Sequence, residues 1–260
     1  MLIFFTSSDF SINLCIFAPM LVKTRAIVLH TIKYGDDRLF VDMFTETDGK
    51  LTFVVKPSKS KQGKMRKQLF QPFTMLEIDF DLRKRQAMQQ LKDVRIEAPL
   101  VSVPFEPVKL TICLFLSEVL WSALRGEQEN APLFSFIHDS ILLLDALVAG
   151  IANFHLVFLM RLPLYLGFMP NIDDGCNGQL FDLREGCFVS MTPLHKDFLS
   201  AEDSQVLRLL MRMTYRTMNL YALSRQQRNR CIEVLIIYYR LHLPEFGEPR
   251  SLAVLREIFS

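Results

Sequence analysis

Two periods of hydrophobicity divide the chain. From position 22 to 97 apolar and polar residues alternate in short runs, the two-residue period of a half-buried strand. From 107 onward apolar residues return every third or fourth position, the period of a helix. The first part predicts five strands: "VKTRAIVLHTIKY" (22–34), "RLFVDMFTE" (38–46), "KLTFVVK" (50–56), "FTMLEIDF" (73–80) and "QAMQQLKDVRIE" (86–97). The Asp-Gly pair in "TDGK" (47–50) suits a tight hairpin, because glycine accepts a positive φ. Five short strands with turn signals between them suit a small closed barrel such as the OB-fold. Pro99, Pro104 and Pro107 mark a boundary. Beyond it the pattern predicts helices over 105–125, 132–149, 151–167, 201–219 and 224–242 and a short one over 251–259, with Ser200 and Ser224 as N-caps. The turn-rich stretch 167–195 breaks the helical period and reads as an irregular insertion.

The fold class is therefore α+β: an OB-fold barrel over 20–100 followed by a helical domain over 101–260. Residues 1–19 are apolar, but no basic residue precedes them, and Ser7, Ser8, Asp9 and Asn13 interrupt them. They read as a non-native or disordered extension, not a signal peptide. The most apolar region, 141–168, contains Asp145, Asn153, His155 and Arg161, which argues for a buried helical core and against a membrane span.

Charge sharpens the division. Residues 20–100 carry 16 Lys/Arg against 10 Asp/Glu, whereas 101–260 carry 14 against 17. The excess concentrates in "KPSKSKQGKMRKQ" (56–68), which holds Lys56, Lys59, Lys61, Lys64, Arg66 and Lys67, and no acid lies between Asp48 and Glu77. A solvated loop guarding a sheet edge accounts for such a run. A phosphate-binding loop accounts for it as well, since neutralising backbone phosphates releases counterions and gives sequence-independent affinity. Lys23, Arg25, Lys33 and Arg38 lie on or beside the first two strands, and Arg83, Lys84 and Arg85 at the last turn, so the barrel as a whole favours the second reading. Aromatic residues interleave with these cations. Phe40, Phe44 and Phe53 recur at barrel-core spacing and read as core; Tyr34 is the candidate for stacking on a base.

The five cysteines, Cys15, Cys113, Cys176, Cys187 and Cys231, are odd in number and dispersed, as in a reducing cytosol. The chain has no G-x-x-x-x-G-K-[ST] loop, no Rossmann glycine fingerprint and no nucleophile elbow, and His30, His138, His155 and His242 stand alone in apolar patterns. No catalytic residues are assigned.

The segment "TRAIVLHTIKYGDDRLFVDMFTETDGKLTFVVK" resembles the opening of the RecO family of bacterial DNA repair proteins, with Tyr34-Gly35-Asp36-Asp37-Arg38 at the family's turn. "RLPLYLGFMPNI", "GQLFDLREGCFV", "SRQQRNRCIEVLIIYYRLHL" and "SLAVLREIF" continue the resemblance over roughly 20–260, in a style nearest to the Bacteroidetes versions. The resemblance implies an OB-fold with a helical domain and a recombination mediator in DNA repair, without enzymatic chemistry. Such a protein binds single- and double-stranded DNA, anneals complementary strands and helps load RecA, with RecR and single-strand binding protein as partners in the cytoplasm. It also implies a DNA contact for Arg38. Many members carry a C-x2-C…C-x2-C zinc site after the "LG" helix. Here only Cys176 and Cys187 remain, with His195 and Asp173 or Asp174 as the other candidates, so the insertion reads as a degenerate zinc finger held by Leu180, Phe181 and Phe188, with neither metal nor cofactor expected. On the helical part, Arg225 and Arg228 share a face. Arg208, Arg212 and Arg216 recur at i, i+4, i+8, and these arginines form a candidate anion or partner site. Three rival readings stand beside the mediator: an OB module for RNA, a scaffold that binds only protein, and a hydrolase with an unfamiliar site.

Overall fold

The computed structural model describes residues 20–258 except 36, 59–66, 84, 127 and 172–178. Five strands, β1 (Met20–Tyr34), β2 (Arg38–Thr45), β3 (Gly49–Val55), β4 (Met75–Leu82) and β5 (Met88–Ala98), close into a barrel of order β1-β2-β3-β5-β4. All neighbours are antiparallel except β3 and β5. This is the OB topology that the alternation implies. The β2–β3 turn works as its sequence suggests. Gly49 takes φ +69°, and Thr45 Oγ1 donates to the Gly49 carbonyl at 2.8 Å while accepting from Asp48 N at 3.1 Å.

The linker after β5 leads into α1 (Pro107–Ala123), which opens on the proline at its first position. Then follow α2 (Ala131–Ala146), α3 (Phe154–Leu166), a three-stranded sheet of β6 (Leu180–Asp182), β7 (Cys187–Val189) and β8 (Phe198–Leu199), α4 (Ala201–Arg212), α5 (Arg225–His242) and α6 (Leu252–Ile258). Ser200 caps α4 by accepting from Asp203 N, and Ser224 and Gln227 form a reciprocal capping box on α5. The sheet carries buried Phe181 and Phe188, whose rings meet at 4.9 Å, so the insertion is fastened by apolar contacts. Among the described residues no helix is long and apolar enough to cross a membrane. Asp145, within the apolar region, accepts backbone hydrogen bonds from Val101, Ser102 and Val103 and pins the linker to α2.

Two apolar clusters hold the molecule. One fills the barrel with residues such as Val28, Val41, Met43, Phe53, Ile78 and Phe80. The other joins the helices to one side of the barrel, where Ile27, Leu29, Phe44, Phe73 and Met75 belong to the helical core. Phe44 is thus buried against Phe134, at 6.1 Å, and lies outside the barrel interior.

Two expectations are corrected. The helix expected to run to 219 stops at Arg212, because Met213 turns extended and Thr214 and Thr217 lock the next turn: Thr217 Oγ1 accepts from Thr214 N at 3.0 Å, and Thr217 N donates to the Thr214 carbonyl at 3.0 Å. Phe40, expected in the core, is half-buried on the outside of the barrel.

Candidate nucleic-acid interface

A one-residue bulge in β1 builds the surface. The register with β2 runs Val28↔Met43 and then His30↔Asp42, leaving Leu29 extra. Before the bulge, even-numbered Ala26 and Val28 face the barrel interior and odd-numbered Ile27 and Leu29 face the helices. After it the parity reverses. Thr31, opposite Val41, turns inward, and His30, Ile32 and Tyr34 turn out. They meet the outward residues of β2 and β3 in successive rows: His30–Asp42–Thr52, then Ile32–Phe40–Val54, then Tyr34–Arg38. The last two rows are open. Ile32 is 47% and Tyr34 57% exposed, and the Tyr34 and Phe40 rings lie 4.8 Å apart. Exposed aromatic and apolar side chains in such a row are a stacking platform of the kind on which OB-folds seat oligonucleotides.

The foot of the face is closed by α1. Trp121 Nε1 donates to Asp42 Oδ2 at 2.6 Å and Thr52 Oγ1 to Asp42 Oδ1 at 2.6 Å, while the Trp121 ring packs 4.6 Å from His30. Lys50 Nζ reaches the Trp121 carbonyl. Burial lowers the Lys50 ammonium to about 8, and Arg125 adds to the drop while Asp42 opposes it. Burial likewise holds the His30 imidazole below its ordinary value, with Asp42 and Glu118 acting in the opposite sense.

The predicted cations divide by face. Lys33 and Arg38, beside the open rows, are exposed, as is Lys67, and among the described residues no carboxylate lies within 4.0 Å of any of the three. Lys56 sits close to Asp37, at 3.2 Å, with both side chains well exposed. Lys59, Lys61, Lys64 and Arg66 lie outside the described residues. On the β1–β4–β5 side positive charge is matched across strands: Lys23 with Asp79 at 3.4 Å, Lys92 with Asp81 at 2.6 Å, Arg95 with Glu77 at 2.7 Å. Lys23 therefore belongs to a mixed-charge surface. Arg25 enters the seam between barrel and helices. It donates to Glu46 through Nε at 2.9 Å and Nη2 at 2.6 Å, sits 3.8 Å from Glu97, and lies over the Phe134 ring at 5.3 Å. The hydrogen bond from Arg25 holds Glu46 below the usual carboxylate range. Arg25 is placed to join the two parts of the chain, and a polyanion would have to displace two carboxylates to reach it.

The helical arginines do not form one site. Arg212 ends α4 and Arg216 lies beyond it in a turn, so the expected stripe is broken. Arg225 binds Glu257 at 2.6 Å and the Arg256 carbonyl at 3.0 Å, and Arg228 donates to the Leu223 carbonyl. Arg208 lies over Phe188 at 3.7 Å. No three His, Cys, Asp or Glu side chains gather as a metal would require among the described residues. Cys176, Asp173 and Asp174 lie outside them, while His195 Nε2 is 3.1 Å from Asp182.

Sequence reasoning missed His30, Asp42, Lys50 and Trp121, which come together only through the fold. The one available signal was Asp42, a lone acid amid apolar positions of β2.

Comparison with known proteins agrees with this architecture. The family model described as Recombination protein O N terminal matches residues 20–100, and the one described as Recombination protein O C terminal matches residues 104–252. The DNA repair protein RecO of Phocaeicola vulgatus is 44% identical over 241 residues, covering 93% of this chain and 100% of the relative. That of Bacteroides fragilis is 43% identical, covering 92% and 100%. That of Flavobacterium psychrophilum is 34% identical over 243 residues, covering 93% and 100%. An OB barrel joined to a helical domain, with matches to both family models and close relatives along most of its length, places this chain in the RecO family of DNA repair proteins.

Proposed function

We propose that the outer face of β1, β2 and β3 holds DNA, single- and double-stranded, and that the chain acts in repair as a recombination mediator. The observation that carries this reading is the pairing of open rows Ile32–Phe40–Val54 and Tyr34–Arg38 with cations, Lys33 and Arg38, that have no carboxylate within 4.0 Å among the described residues. Phosphates would meet Lys33, Arg38, Lys56 and Lys67, and with them the basic residues Lys59, Lys61, Lys64 and Arg66 of the same loop, while unpaired bases lie against Tyr34 and Phe40. Two strands held on such a surface have their mutual repulsion screened, which favours annealing of complementary sequences. The mechanism has no covalent step. With RecR, and with single-strand binding protein as the source of covered DNA, the same activity would help load RecA in the cytoplasm; the helical domain would supply the docking surfaces.

The test is titration of labelled single-stranded DNA at several salt concentrations, followed by a strand-annealing assay. Tight, salt-dependent binding with accelerated annealing is expected. Affinity without salt dependence, or binding only to RNA through its 2′-hydroxyls, would overturn the reading.

A further inference from the structure

Beside the foot of the open face, a cleft of ≈ 550 Å³ lies between β1, α1 and residues 247–250, lined by His30, Lys33, Glu118, Trp121, Arg125 and Arg250 among others. Its far wall is fixed by α1. Ser122 Oγ accepts from Gly247 N at 3.1 Å, and Glu118 accepts from both Ser251 N and Ser251 Oγ at 3.0 Å. These bonds occupy the one carboxylate that α1 offers to the cleft. The other lining acid, Glu248, is held by Arg240 at 3.0 Å, and Arg125 is matched by Glu245 at 2.9 Å. Lys33 and Arg250 are left exposed, with no carboxylate within 4.0 Å among the described residues. Between the same walls His30 Nδ1 is buried without a hydrogen-bond partner, 4.0 Å from Asp42. A buried polar atom without a hydrogen-bond partner, beside two cations that no described carboxylate matches, suits an anion.

We propose that this cleft takes a backbone phosphate of a DNA strand that runs down the barrel face, gripped by Arg250 and Lys33 beside His30. The inference rests on the DNA-binding reading above and extends it from the barrel to the carboxyl-terminal segment. Continuity argues for a phosphodiester over a free anion: His30, Ile32 and Tyr34 share the outward side of β1 and Ile32 also lines the cleft, so the cleft adjoins the stacking platform, with His30 about 13 Å along the strand from Tyr34. A base has no open ring to stack on there, since Trp121 is already flanked by His30 at 4.6 Å, Lys50 at 5.3 Å and Arg125 at 5.5 Å. The contact is therefore independent of sequence, and it makes the strand bridge both parts of the chain.

Trp121 is the chain's single tryptophan, so its emission reports this cleft directly. Full-length protein is titrated with oligothymidylate while Trp121 emission and the anisotropy of labelled DNA are followed together. The expected result is a saturable emission change that tracks the anisotropy and is competed by inorganic phosphate at high concentration. In the Lys33→Ala/Arg250→Ala variant the emission change is lost and the salt slope of binding falls by about 0.7, the contribution of one phosphate contact on a single strand. Lys92→Ala, which removes a cation already matched by Asp81, leaves both readings as in the parent. If anisotropy reports binding but Trp121 emission stays constant and the double variant keeps its salt slope, the cleft is not a phosphate site, although the barrel-face reading survives. If an acidic peptide moves the emission and DNA does not, the cleft serves a protein carboxylate and the proposal fails. Absence of any anisotropy change would remove the DNA-binding reading together with this one.

Discussion

Replacing Arg25 separates cations that hold the fold from cations that face a ligand. From sequence Arg25 belongs with the DNA contacts, yet its fork makes two charge-assisted bonds to Glu46 at 2.9 and 2.6 Å, and its plane covers Phe134. A hydrogen bond to a charged group contributes about 1.5–3 kcal/mol when sheltered. The Arg25 and Glu46 side chains are 37% and 31% exposed, which pulls the pair toward the surface range of about 0.2–1 kcal/mol per interaction. Adding about 0.5–1 kcal/mol for the cation–ring contact gives about 2 kcal/mol for Arg25→Ala. For a chain of this size that is a drop of about 6 °C in melting temperature. Arg25→Lys recovers less than half of the loss, because an ammonium cannot bridge both oxygens of Glu46. Urea denaturation gives the stability, and DNA titration at several salt concentrations gives the phosphate count, which is expected to stay the same. A variant as stable as the parent whose salt slope falls by about 0.7 would refute the assignment and return Arg25 to the DNA surface.

Further outcomes follow from the same structure. Tyr34→Ala and Phe40→Ala each weaken single-strand binding by about 1–3 kcal/mol with an unchanged salt slope, since stacking is lost and charge is kept; a fall in slope without loss of affinity in high salt would contradict this. Burial, with Arg228 nearby, holds the His155 imidazole at about 3, far below its free value of 6.5. The unfolded chain therefore binds a proton that the folded chain refuses, so stability is full above pH 6.5 and declines by up to about 1.4 kcal/mol per pH unit as pH falls toward 3. His155→Leu should flatten urea midpoints measured across that window. Asp145→Ala removes the acceptor for Val101, Ser102 and Val103; a loss of about 2 kcal/mol and faster amide exchange at those three positions are expected, and unchanged exchange would show that the linker is held otherwise. Burial pushes the Cys113 and Cys231 thiols up to about 12, so peptide mapping should find them alkylated only in step with unfolding.

The barrel was readable because alternation is local. Each strand begins and ends within about two residues of the run that predicts it, and the Ser200 and Ser224 caps sit where the serines precede acids or glutamine. What stayed hidden depends on partners far away in the chain. Spacing identifies Phe40 and Phe44 as one side of β2 but does not tell which side the helices cover, so one phenylalanine is buried against Phe134 and the other left on the open face. A count of basic residues does not reveal that Lys23 has Asp79 across the sheet while Lys33 has Leu39. The cleft draws on positions 30, 121 and 250, three segments with no common motif. The early stop of α4 came from two threonines whose hydroxyl chemistry outweighs a helical period.

The extra residue at Leu29 acts as a phase switch within one strand. Its upstream half is timed to the helices and its downstream half to solvent, and the bulge absorbs the odd residue between them. Deleting Leu29 would leave Val28 and His30 as neighbours, still opposite Met43 and Asp42 in unbroken alternation, so Ile32 and Tyr34 would keep the outward side, whereas one further inserted residue would send them into the barrel. For the facing of side chains, a single-codon deletion here is thus a milder insult than a single-codon insertion, or than a deletion in a strand without a bulge such as β3, and genetic screens should find these classes well separated.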